Sequence, residues 1–442
     1  MKNYDVLIIG GGPAGRTIVH KLHKTSPQTR TAIIKNEEIN VNRCAVPYGI
    51  SDKKPEEKFC IPNSLVTDFG ADLIVDTAQK LDPESSLVHT ISGETFSYKH
   101  LVLALGARPF VPDITGVNLE NITSVRSKND MSHLRNFAKN FKKGVVIGGG
   151  FIGIEVAAEF AELGLDVTII EMMPRLMANT LNNDFTEIIE KEMEKKGIKI
   201  IKNTLVKEFK GDKKISSVVL NDGMEIKADF AVLSTGVCPN IELAEKAGLK
   251  TDKFGIIADD FLRTDFKNIY ASGDCASKKS FITKNPVRGE FGTNAVFMSK
   301  VIADNILGKE KKFMGVINAG VSTAFDYSFG TAGFTEKMAQ AEGLDYISGY
   351  SEVLDMYPMM DNVSKIMTRL VFDRKTKRLI GGSVLRKGRC TANNIDFISM
   401  AVQMKVTAYD LAEYQYATQP ELAAKPSDNS YVFAAEDALK KI

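Results

Sequence analysis

Two stretches of the chain share one order of apolar and glycine positions. The apolar run from Val6 to Ile9 leads into Gly10-Gly-Gly-Pro-Ala-Gly15, and the run from Val145 to Ile147 leads into Gly148-Gly-Gly-Phe-Ile-Gly153. A short apolar run is typical of a buried strand. Glycines then permit a tight turn whose backbone can approach a pyrophosphate at a helix N-terminus. Each stretch therefore predicts a strand, a glycine turn and a helix.

The second glycine turn is followed by the rest of such a unit. Helical spacing covers residues 155–163, and a second apolar strand over residues 165–171 ends at Glu171, 21 residues after Gly150. A carboxylate at this position accepts hydrogen bonds from ribose hydroxyls and repels a 2′-phosphate. The pattern favours NADH over NADPH. The predicted contacts of this nucleotide are Gly148, Gly150, Gly153, Glu155 and Glu171.

The first unit departs from this pattern at one position. Its second predicted strand, residues 31–35, ends in Lys35, where the acid would stand. Either Glu37 or Glu38 could replace the acid from the following loop, or Lys35 could face the pyrophosphate or the solvent. The sequence leaves these alternatives open.

The C-terminal part of the chain shows a mixed pattern. Residues 366–372 and 379–385 alternate in a way typical of strands and flank a charged turn, which predicts a hairpin. Residues 394–404 carry apolar side chains at helical spacing. We expect a separate α+β domain from about residue 321.

Composition excludes several classes of protein. The 442 residues are 44% hydrophobic and 25% charged, with 57 Lys and Arg against 55 Asp and Glu, which is typical of a globular chain of several domains. The near-neutral balance gives no basis for nucleic-acid binding. The longest apolar runs are too short to span a membrane, and no signal peptide precedes the first strand. Five cysteines without a C-x-x-C pair argue against a zinc site, and against a disulfide framework, so we expect a cytoplasmic protein without metal.

Further motifs occur with the two glycine turns in a fixed order along the chain, the first of them between the two turns and the others after the second. They are Ala104-Leu-Gly-Ala-Arg-Pro109, Ser234-Thr-Gly-Val-Cys-Pro-Asn240 and Tyr270-Ala-Ser-Gly-Asp274. Over essentially the whole chain, this order resembles the pyridine nucleotide-disulfide oxidoreductase family, flavoproteins with two dinucleotide-binding domains. Leu105 departs from the threonine usual in the family.

The resemblance implies an α/β fold with two Rossmann-like domains and a C-terminal α+β dimerisation domain. The FAD-binding domain would comprise residues 1–112 and 252–320, the NAD-binding domain 113–251, and the dimerisation domain 321–442. The cofactors would be FAD and NADH, and the chain would form a homodimer. The implied FAD contacts are Gly10, Gly12, Gly15, Lys35, Arg43, Gly106 and Asp274, and Gly236 of the Ser234–Asn240 motif is a further implied cofactor contact.

Cys44 lies in Asn40-Val-Asn-Arg-Cys-Ala-Val-Pro-Tyr48. This segment resembles the Asn-Cys-x-x-Pro-Tyr stretch of coenzyme A-disulfide reductases and NADH-dependent persulfide reductases, in which a single cysteine faces the flavin. Ile39 stands where the C-x₄-C pair of glutathione and lipoamide reductases has its other cysteine. A single redox thiol stores oxidation as a mixed disulfide, a persulfide or a sulfenic acid. Arg43 could favour the thiolate by its charge, although in extended structure its side chain would point the other way.

Three other positions narrow the implied chemistry. Pro13 occupies the place of a histidine that NADH oxidases and peroxidases of this group carry, which disfavours peroxide chemistry. Gln419 replaces the proton-donating histidine of disulfide reductases, and glutamine cannot titrate. Coenzyme A-disulfide reductases use tyrosines of the partner subunit instead, and Tyr357 and Tyr416 stand in similar places. The alternative for both tyrosines is an ordinary role at the interface.

The first predicted helix has a basic face. Arg16, His20 and Lys24 recur every four residues. A solvated face explains this spacing, but in coenzyme A-disulfide reductases a basic pair near His23 and Lys24 meets the phosphates of the substrate. Arg16, His23 and Lys24 are therefore the predicted substrate-binding residues.

These observations together predict an FAD enzyme that uses NADH and Cys44 to reduce a small-molecule disulfide or persulfide. Coenzyme A disulfide, coenzyme A persulfide and polysulfide are the leading substrates. The alternatives are an NADH oxidase that reduces oxygen and a flavin-bound redox sensor or electron donor to a protein partner. The other cysteines, Cys60, Cys238, Cys275 and Cys390, are interpreted as structural.

Overall fold

The computed structural model describes all residues of the chain, 1–442. Its strands, in chain order, are β1 (Lys2–Ile9), β2 (Thr31–Lys35), β3 (Asn40–Val41), β4 (Cys60–Ile61), β5 (Asp72–Val75), β6 (Ala78–Asp82), β7 (Leu87–Thr90), β8 (Thr95–Leu103), β9 (Ala107–Pro109), β10 (Ile122–Thr123), β11 (Lys143–Ile147), β12 (Asp166–Ile170), β13 (Lys199–Ile201), β14 (Val206–Gly211), β15 (Ile215–Leu220), β16 (Glu225–Lys227), β17 (Phe230–Leu233), β18 (Val237–Pro239), β19 (Thr251–Asp252), β20 (Gly255–Ile256), β21 (Ile269–Ala271), β22 (Lys278–Lys279), β23 (Pro286–Val287), β24 (Gly320–Ala324), β25 (Tyr327–Gly333), β26 (Tyr346–Leu354), β27 (Lys365–Asp373) and β28 (Leu379–Lys387).

The α-helices are α1 (Pro13–Thr25), α2 (Ser64–Thr67), α3 (Lys128–Asn140), α4 (Phe151–Glu162), α5 (Asn183–Lys195), α6 (Glu242–Lys246), α7 (Gly292–Ile306), α8 (Glu336–Ala341), α9 (Ala392–Gln403), α10 (Ala408–Glu413) and α11 (Ser430–Leu439). Short 3₁₀ helices cover Arg43–Ala45, Pro47–Gly49, Glu56–Phe59 and Gly273–Cys275. No helix combines the length and the apolar composition needed to cross a bilayer.

The chain forms two compact units. The first comprises residues 1–110, 126–132 and 236–316, and the second comprises residues 111–125, 133–235 and 317–442. Because these units are defined by compactness and not by a bound nucleotide, the division into FAD-binding, NAD-binding and dimerisation domains stays a prediction.

A mixed sheet forms the centre of the first unit, with strand order β5-β2-β1-β8-β7-β6 and β21 beside β8. β1 is parallel to both β2 and β8, while β7 joins antiparallel. Residues 6–9 of β1 are buried, as are all five residues of β2. Such continuous burial is expected of parallel strands covered on both faces. The first glycine turn connects β1 to α1, so it lies at the carboxyl edge of this sheet.

The second unit contains a parallel sheet with strand order β10-β17-β11-β12-β13. The second glycine turn connects β11 to α4, in the same way as the first connects β1 to α1. A separate antiparallel sheet, β24-β25-β28-β27-β26, contains the predicted hairpin as β27 and β28. The predicted C-terminal helix is α9. Two strand–turn–helix units and an α+β C-terminal part confirm the predicted α/β fold class.

Candidate functional site

The first glycine turn leaves an open space at the start of α1. Gly10 adopts φ +122°, and a Cβ there would lie 2.0 Å from the carbonyl oxygen of Ala104. A Cβ at Gly15 would lie 2.2 Å from the oxygen of Gly10, so the helix packs directly on the strand. In contrast, no heavy atom lies within 4 Å of a Cβ at Gly12. The turn is therefore closed towards the protein and open in front of the helix, which fits a pyrophosphate at the helix N-terminus.

The second turn repeats this geometry residue for residue. Gly148 adopts φ +99°, and a Cβ at Gly153 would lie 2.0 Å from the oxygen of Gly148. Gly150, like Gly12, has no heavy atom within 4 Å of a Cβ. The chain thus contains two separate cradles of the kind that hold a dinucleotide.

Glu171 follows β12 directly and is buried beside the second turn. Its Oε2 accepts a 2.6 Å hydrogen bond from the backbone N–H of Gly149, and its Oε1 accepts one of 2.7 Å from Met173. Each carboxylate oxygen has a further lone pair, which suits the two hydroxyls of a ribose. Glu155, another predicted contact, accepts a hydrogen bond of 2.7 Å from the Ser322 hydroxyl.

Lys35 is buried at the end of β2 and does not face solvent. Its ammonium donates to the backbone oxygen of Glu38 at 3.0 Å, to Asn40 Oδ1 at 3.1 Å and to Asn63 Oδ1 at 2.7 Å. Burial lowers the pKa of Lys35. Of the open alternatives, solvent exposure of Lys35 is excluded. The three oxygen acceptors account for all three ammonium protons, so the side chain ties the end of β2 to both neighbouring segments.

Glu37, one of the residues considered in place of the missing acid, is bound within the loop. Its carboxylate accepts a hydrogen bond of 2.5 Å from Asn40 Nδ2 and pairs with Arg43 at 3.4 Å. Whether either glutamate reaches a ribose stays a prediction.

Arg126 is a residue of this region that sequence reasoning missed. Its guanidinium pairs with Asp274 at 3.1 Å. A Cβ added at Gly106 would lie 3.6 Å from Arg126 Nη2 and 3.7 Å from Arg43 Nη1, so the two guanidinium groups meet at this glycine. Burial lowers the pKa of Arg126, and the charge of Arg43 lowers it further. The buried Nε of Arg126 has no hydrogen-bond partner. Two adjacent guanidinium groups with an unsatisfied donor fit an anion such as the pyrophosphate of FAD. Arg126 lies in no recognisable motif, and only the fold brings it to Asp274.

Cys44 is exposed on the 3₁₀ helix Arg43–Ala45. The segment is not extended, because the Ala45 N–H donates to the Asn42 oxygen at 2.9 Å and closes a turn. Arg43 forms an ion pair with the Glu37 carboxylate, which partly neutralises its charge beside Cys44. No disulfide joins any of the five cysteines.

A cleft of about 470 Å³ lies beside the cysteine segment. Its lining includes the two residues that flank the Arg43–Cys44 pair, Asn42 and Ala45. The rest of the lining is Lys54, Pro55, Lys58 and Phe59. The Asn42 N–H donates to the Phe59 oxygen at 2.8 Å, so the two walls of the cleft are joined. Its lining of cationic and apolar side chains suits an anionic ligand with an apolar part.

The predicted basic face lies on α1 but is not uniform. Burial lowers the pKa of Arg16, whose buried Nη1 has no hydrogen-bond partner. His20 contacts the Leu65 oxygen at 2.8 Å and lies against Phe69, whereas His23 and Lys24 are exposed. His23 and Lys24 are therefore more accessible to a ligand from solvent than Arg16 and His20 are.

The two predicted tyrosines lie in neighbouring segments of the C-terminal part. The Tyr357 hydroxyl hydrogen-bonds to Thr418 Oγ1 at 3.3 Å, and the Tyr357 N–H donates to the Pro420 oxygen at 3.1 Å. The Tyr416 hydroxyl donates to the Pro426 oxygen. Both side chains are half-buried, and Gln419, three residues after Tyr416, is exposed.

The remaining predicted positions differ in exposure. Gly236 adopts φ +98° with open space around its Cβ position. Cys275 is buried, which raises the pKa of its thiol to about 11 and makes it a poor nucleophile. Cys60 and Cys238 are half-buried and Cys390 is exposed.

Comparison with known proteins identifies the class of molecule. Residues 4–298 match the family model of pyridine nucleotide-disulphide oxidoreductases, and residues 321–429 match the dimerisation domain of that family. An NADH oxidase of Methanocaldococcus jannaschii is 33% identical over 99% of both chains. The NAD(P)H coenzyme A polysulfide/persulfide reductase of Pyrococcus horikoshii is 30% identical over 86% of this chain and 87% of the relative. The structure of an NAD-dependent persulfide reductase from A. fulgidus matches with a TM-score of 0.93 and 28% identity, covering 99% of this chain and 83% of that one.

This chain belongs to the pyridine nucleotide-disulphide oxidoreductase family. It is an NADH-dependent flavoprotein oxidoreductase with a dimerisation domain, and the predicted cofactors, FAD and NADH, are confirmed. The roles of individual site residues stay predictions.

Proposed function

We propose that this enzyme uses NADH to reduce a small-molecule disulfide or persulfide, with Cys44 as the sulfur-exchanging group. The observation that carries this proposal is the exposed Cys44 beside a cationic cleft, in the same compact unit as the first glycine cradle. Coenzyme A disulfide, coenzyme A persulfide and polysulfide are the leading substrates. The relatives named as coenzyme A-dependent polysulfide, persulfide or sulfur reductases support this choice.

The proposed reaction has two steps at Cys44. The Cys44 thiolate attacks one sulfur of the substrate disulfide, a Cys44–sulfur bond forms, and the first thiolate leaves. Two electrons then break the new bond, which releases the second thiolate and restores Cys44. FAD, when bound, would supply these electrons, which NADH would provide as a hydride. For a disulfide, the sum is one NADH and one proton consumed, with two thiols and NAD⁺ formed.

The cleft favours an anionic substrate. Lys54 and Lys58 place two cations at its wall, and Phe59 and Pro55 supply an apolar surface. Positive charge around a cleft raises the local concentration of anions. A coenzyme A derivative, which carries phosphates and an apolar arm, has both required properties. His23 and Lys24, exposed on α1, are proposed as further phosphate contacts.

We assign proton delivery to Tyr357 and Tyr416 of the partner subunit in a homodimer. The match of residues 321–429 to the dimerisation domain supports this arrangement. A phenol can donate a hydrogen bond or a proton to a leaving thiolate, whereas Gln419 can donate only a hydrogen bond. A thiol chemistry of this kind requires a reducing compartment, and we propose the cytoplasm.

An NADH oxidase is the second candidate, because the M. jannaschii relative of 33% identity carries that name. In that case oxygen would take the electrons, and Cys44 would hold a sulfenic acid or take no part.

The deciding experiment measures NADH consumption by the wild type and by Cys44→Ser under three conditions. These are coenzyme A disulfide without oxygen, polysulfide without oxygen, and oxygen alone. The proposal predicts rapid anaerobic turnover that requires Cys44, with Cys60→Ser as the matched control of unchanged rate. Rapid turnover only with oxygen would establish the oxidase, and slow turnover under all three conditions would indicate a sensor or an electron donor to a protein.

A further inference from the structure

Arg175 lies four residues after Glu171, on the loop that follows β12. Its Nη1 donates to Glu190 Oε2 at 2.8 Å, and its Nη2 lies 3.5 Å from Glu187. A second cation, Lys202, donates to the same Glu190 oxygen at 2.6 Å. One carboxylate on α5 therefore binds two cations beside the second nucleotide cradle.

Glu190 also fixes the backbone of this loop. Its side chain is 3% exposed, and its Oε1 accepts a hydrogen bond of 2.9 Å from the N–H of Leu176. A carboxylate buried to this degree needs compensating charge and hydrogen bonds, and here it receives both. Glu187, by contrast, has a side chain that is 44% exposed and lies at the rim of the cluster.

The loop held by Glu190 covers the second glycine turn. The Met173 N–H donates to Glu171 Oε1 at 2.7 Å, and the Met177 N–H donates to the Gly149 oxygen at 2.9 Å. Leu176 lies so close that its Cδ2 would be 2.3 Å from a Cβ at Gly149. Arg175 stands between these anchored positions, so its side chain begins beside the acid that reads the ribose.

We propose that Glu190 is a specificity-determining residue that excludes NADPH by holding Arg175 and Lys202 away from the 2′ position of the adenosine ribose. This proposal rests on the assignment of the second cradle to NADH. An arginine near this position is how related dinucleotide sites accommodate a 2′-phosphate. The guanidinium binds phosphate with two parallel hydrogen bonds, so an Arg175 released from Glu190 would offer that contact. Glu171 repels the phosphate directly, and Glu190 acts through Arg175 as a positioning residue.

The test is the affinity of the FAD-loaded enzyme for NADP⁺ and NAD⁺, measured by isothermal titration calorimetry. Neither ligand reduces the flavin, so catalysis does not affect the result. Glu190→Gln keeps the shape of the side chain and removes its charge. We expect the Kd of NADP⁺ to fall about tenfold, equivalent to the contribution of one charge-assisted contact, while the Kd of NAD⁺ changes less than about threefold. This gain in NADP⁺ affinity should become smaller as salt is added, because salt screens partly exposed charges.

Two further variants separate the proposed role from a general change in structure. Arg175→Ala in the Glu190→Gln background should abolish the gain in NADP⁺ affinity. Glu187→Gln removes the exposed partner of Arg175 and leaves Glu190 in place, so it should leave both affinities within about twofold of the wild type. If Glu190→Gln fails to fold, Glu190→Asp withdraws the carboxylate from Arg175 while keeping the charge, and it should change NADP⁺ affinity in the same direction.

The proposal is overturned if a folded variant keeps its affinity for NAD⁺ without any gain for NADP⁺, or if the gain survives without Arg175. Equal affinities of the wild type for NAD⁺ and NADP⁺ would remove its premise. A failure to reduce coenzyme A disulfide, with the NADP⁺ gain intact, would count against the proposed substrate alone.

Discussion

The carboxylate of Glu171 accepts a 2.6 Å hydrogen bond from the backbone N–H of Gly149, which joins the end of β12 to the glycine turn after β11. The acid predicted to bind the ribose and the turn predicted to hold the pyrophosphate are therefore directly hydrogen-bonded to each other. A change at Glu171 acts on both parts of the nucleotide site.

Substituting Glu171 should lower the preference for NADH. In Glu171→Gln we expect kcat/KM for NADH to fall about tenfold, because one ribose hydrogen bond weakens and the hydrogen bond to Gly149 loses its charge. The ratio of kcat/KM for NADH to that for NADPH should shrink, because the repulsion of the 2′-phosphate is lost. Steady-state kinetics with both nucleotides measures this, with the exposed Glu194→Gln on α5 as control. Comparable kcat/KM for the two nucleotides in the wild type would contradict the assignment of Glu171.

Cys44→Ser should bind FAD and accept hydride from NADH at the wild-type rate. Its reduction of disulfide or persulfide substrates should fall by roughly 10³-fold or more, because serine cannot supply the nucleophile. Stopped-flow absorbance of the flavin and steady-state turnover separate the two steps. Wild-type turnover of disulfides by this variant would show that Cys44 is not the sulfur-exchanging group. A faster reaction with oxygen would not bear on that assignment.

The single cysteine should also appear in the redox stoichiometry. If Cys44 carries a small thiol or a sulfur atom after purification without reductant, full anaerobic reduction should consume NADH beyond that needed for the flavin, because extra electrons release the cap. Anaerobic titration with intact-protein mass spectrometry measures both quantities. Flavin-only stoichiometry and no adduct, also after incubation with coenzyme A disulfide or polysulfide, would reject the role of Cys44.

Removal of the Lys35 ammonium should lower the stability of the first compact unit. Lys35→Met leaves the side-chain oxygens of buried Asn40 and half-buried Asn63 without the ammonium donor, which we expect to lower the free energy of unfolding by roughly 1–3 kcal/mol. Lys24→Met, an exposed substitution on α1, is the matched control. Urea unfolding of both variants measures the difference, and equal midpoints would show that the ammonium contributes nothing to stability.

Loss of a tyrosine hydroxyl should slow the release of the reduced thiol. We expect Tyr416→Phe or Tyr357→Phe to lower kcat with coenzyme A disulfide by about 10²-fold, the lower part of the range for general acid catalysis. Reduction of the flavin by NADH should be unchanged, because it needs only the nucleotide sites. Tyr409→Phe, at an exposed tyrosine of the C-terminal part, serves as the control. Unchanged kcat in both variants would assign proton delivery to water.

Prediction from sequence succeeded where a residue pattern is local. The two glycine turns, the strands before them, Glu171 and the β27–β28 hairpin are each defined within a few tens of residues, and the spacing of glycine, apolar and acidic residues identifies them. The order of these short motifs along the chain also gave the family resemblance, and the resemblance implied the cofactors.

What the sequence did not reveal depends on contacts between distant residues. Arg126 and Asp274 are 148 residues apart, and no local pattern connects them. The partners of Lys35 include Asn63, which lies in a segment without a motif. The turn at Cys44 has no local signal either, because a backbone hydrogen bond between Ala45 and Asn42 makes Arg43–Ala45 a 3₁₀ helix.

The hydrogen bond from Lys35 to Asn63 joins two points of the chain 28 residues apart, and Cys44 lies between them. A closed loop has less conformational entropy than an open one, so this hydrogen bond restricts the positions that the Cys44 side chain can adopt. In the observed arrangement, a carboxylate at position 35 would face two amide oxygens and a carbonyl, and it could not close the loop. The lysine at the end of β2, where the dinucleotide-binding pattern has an acid, thus confines the segment that carries Cys44 without a second cysteine.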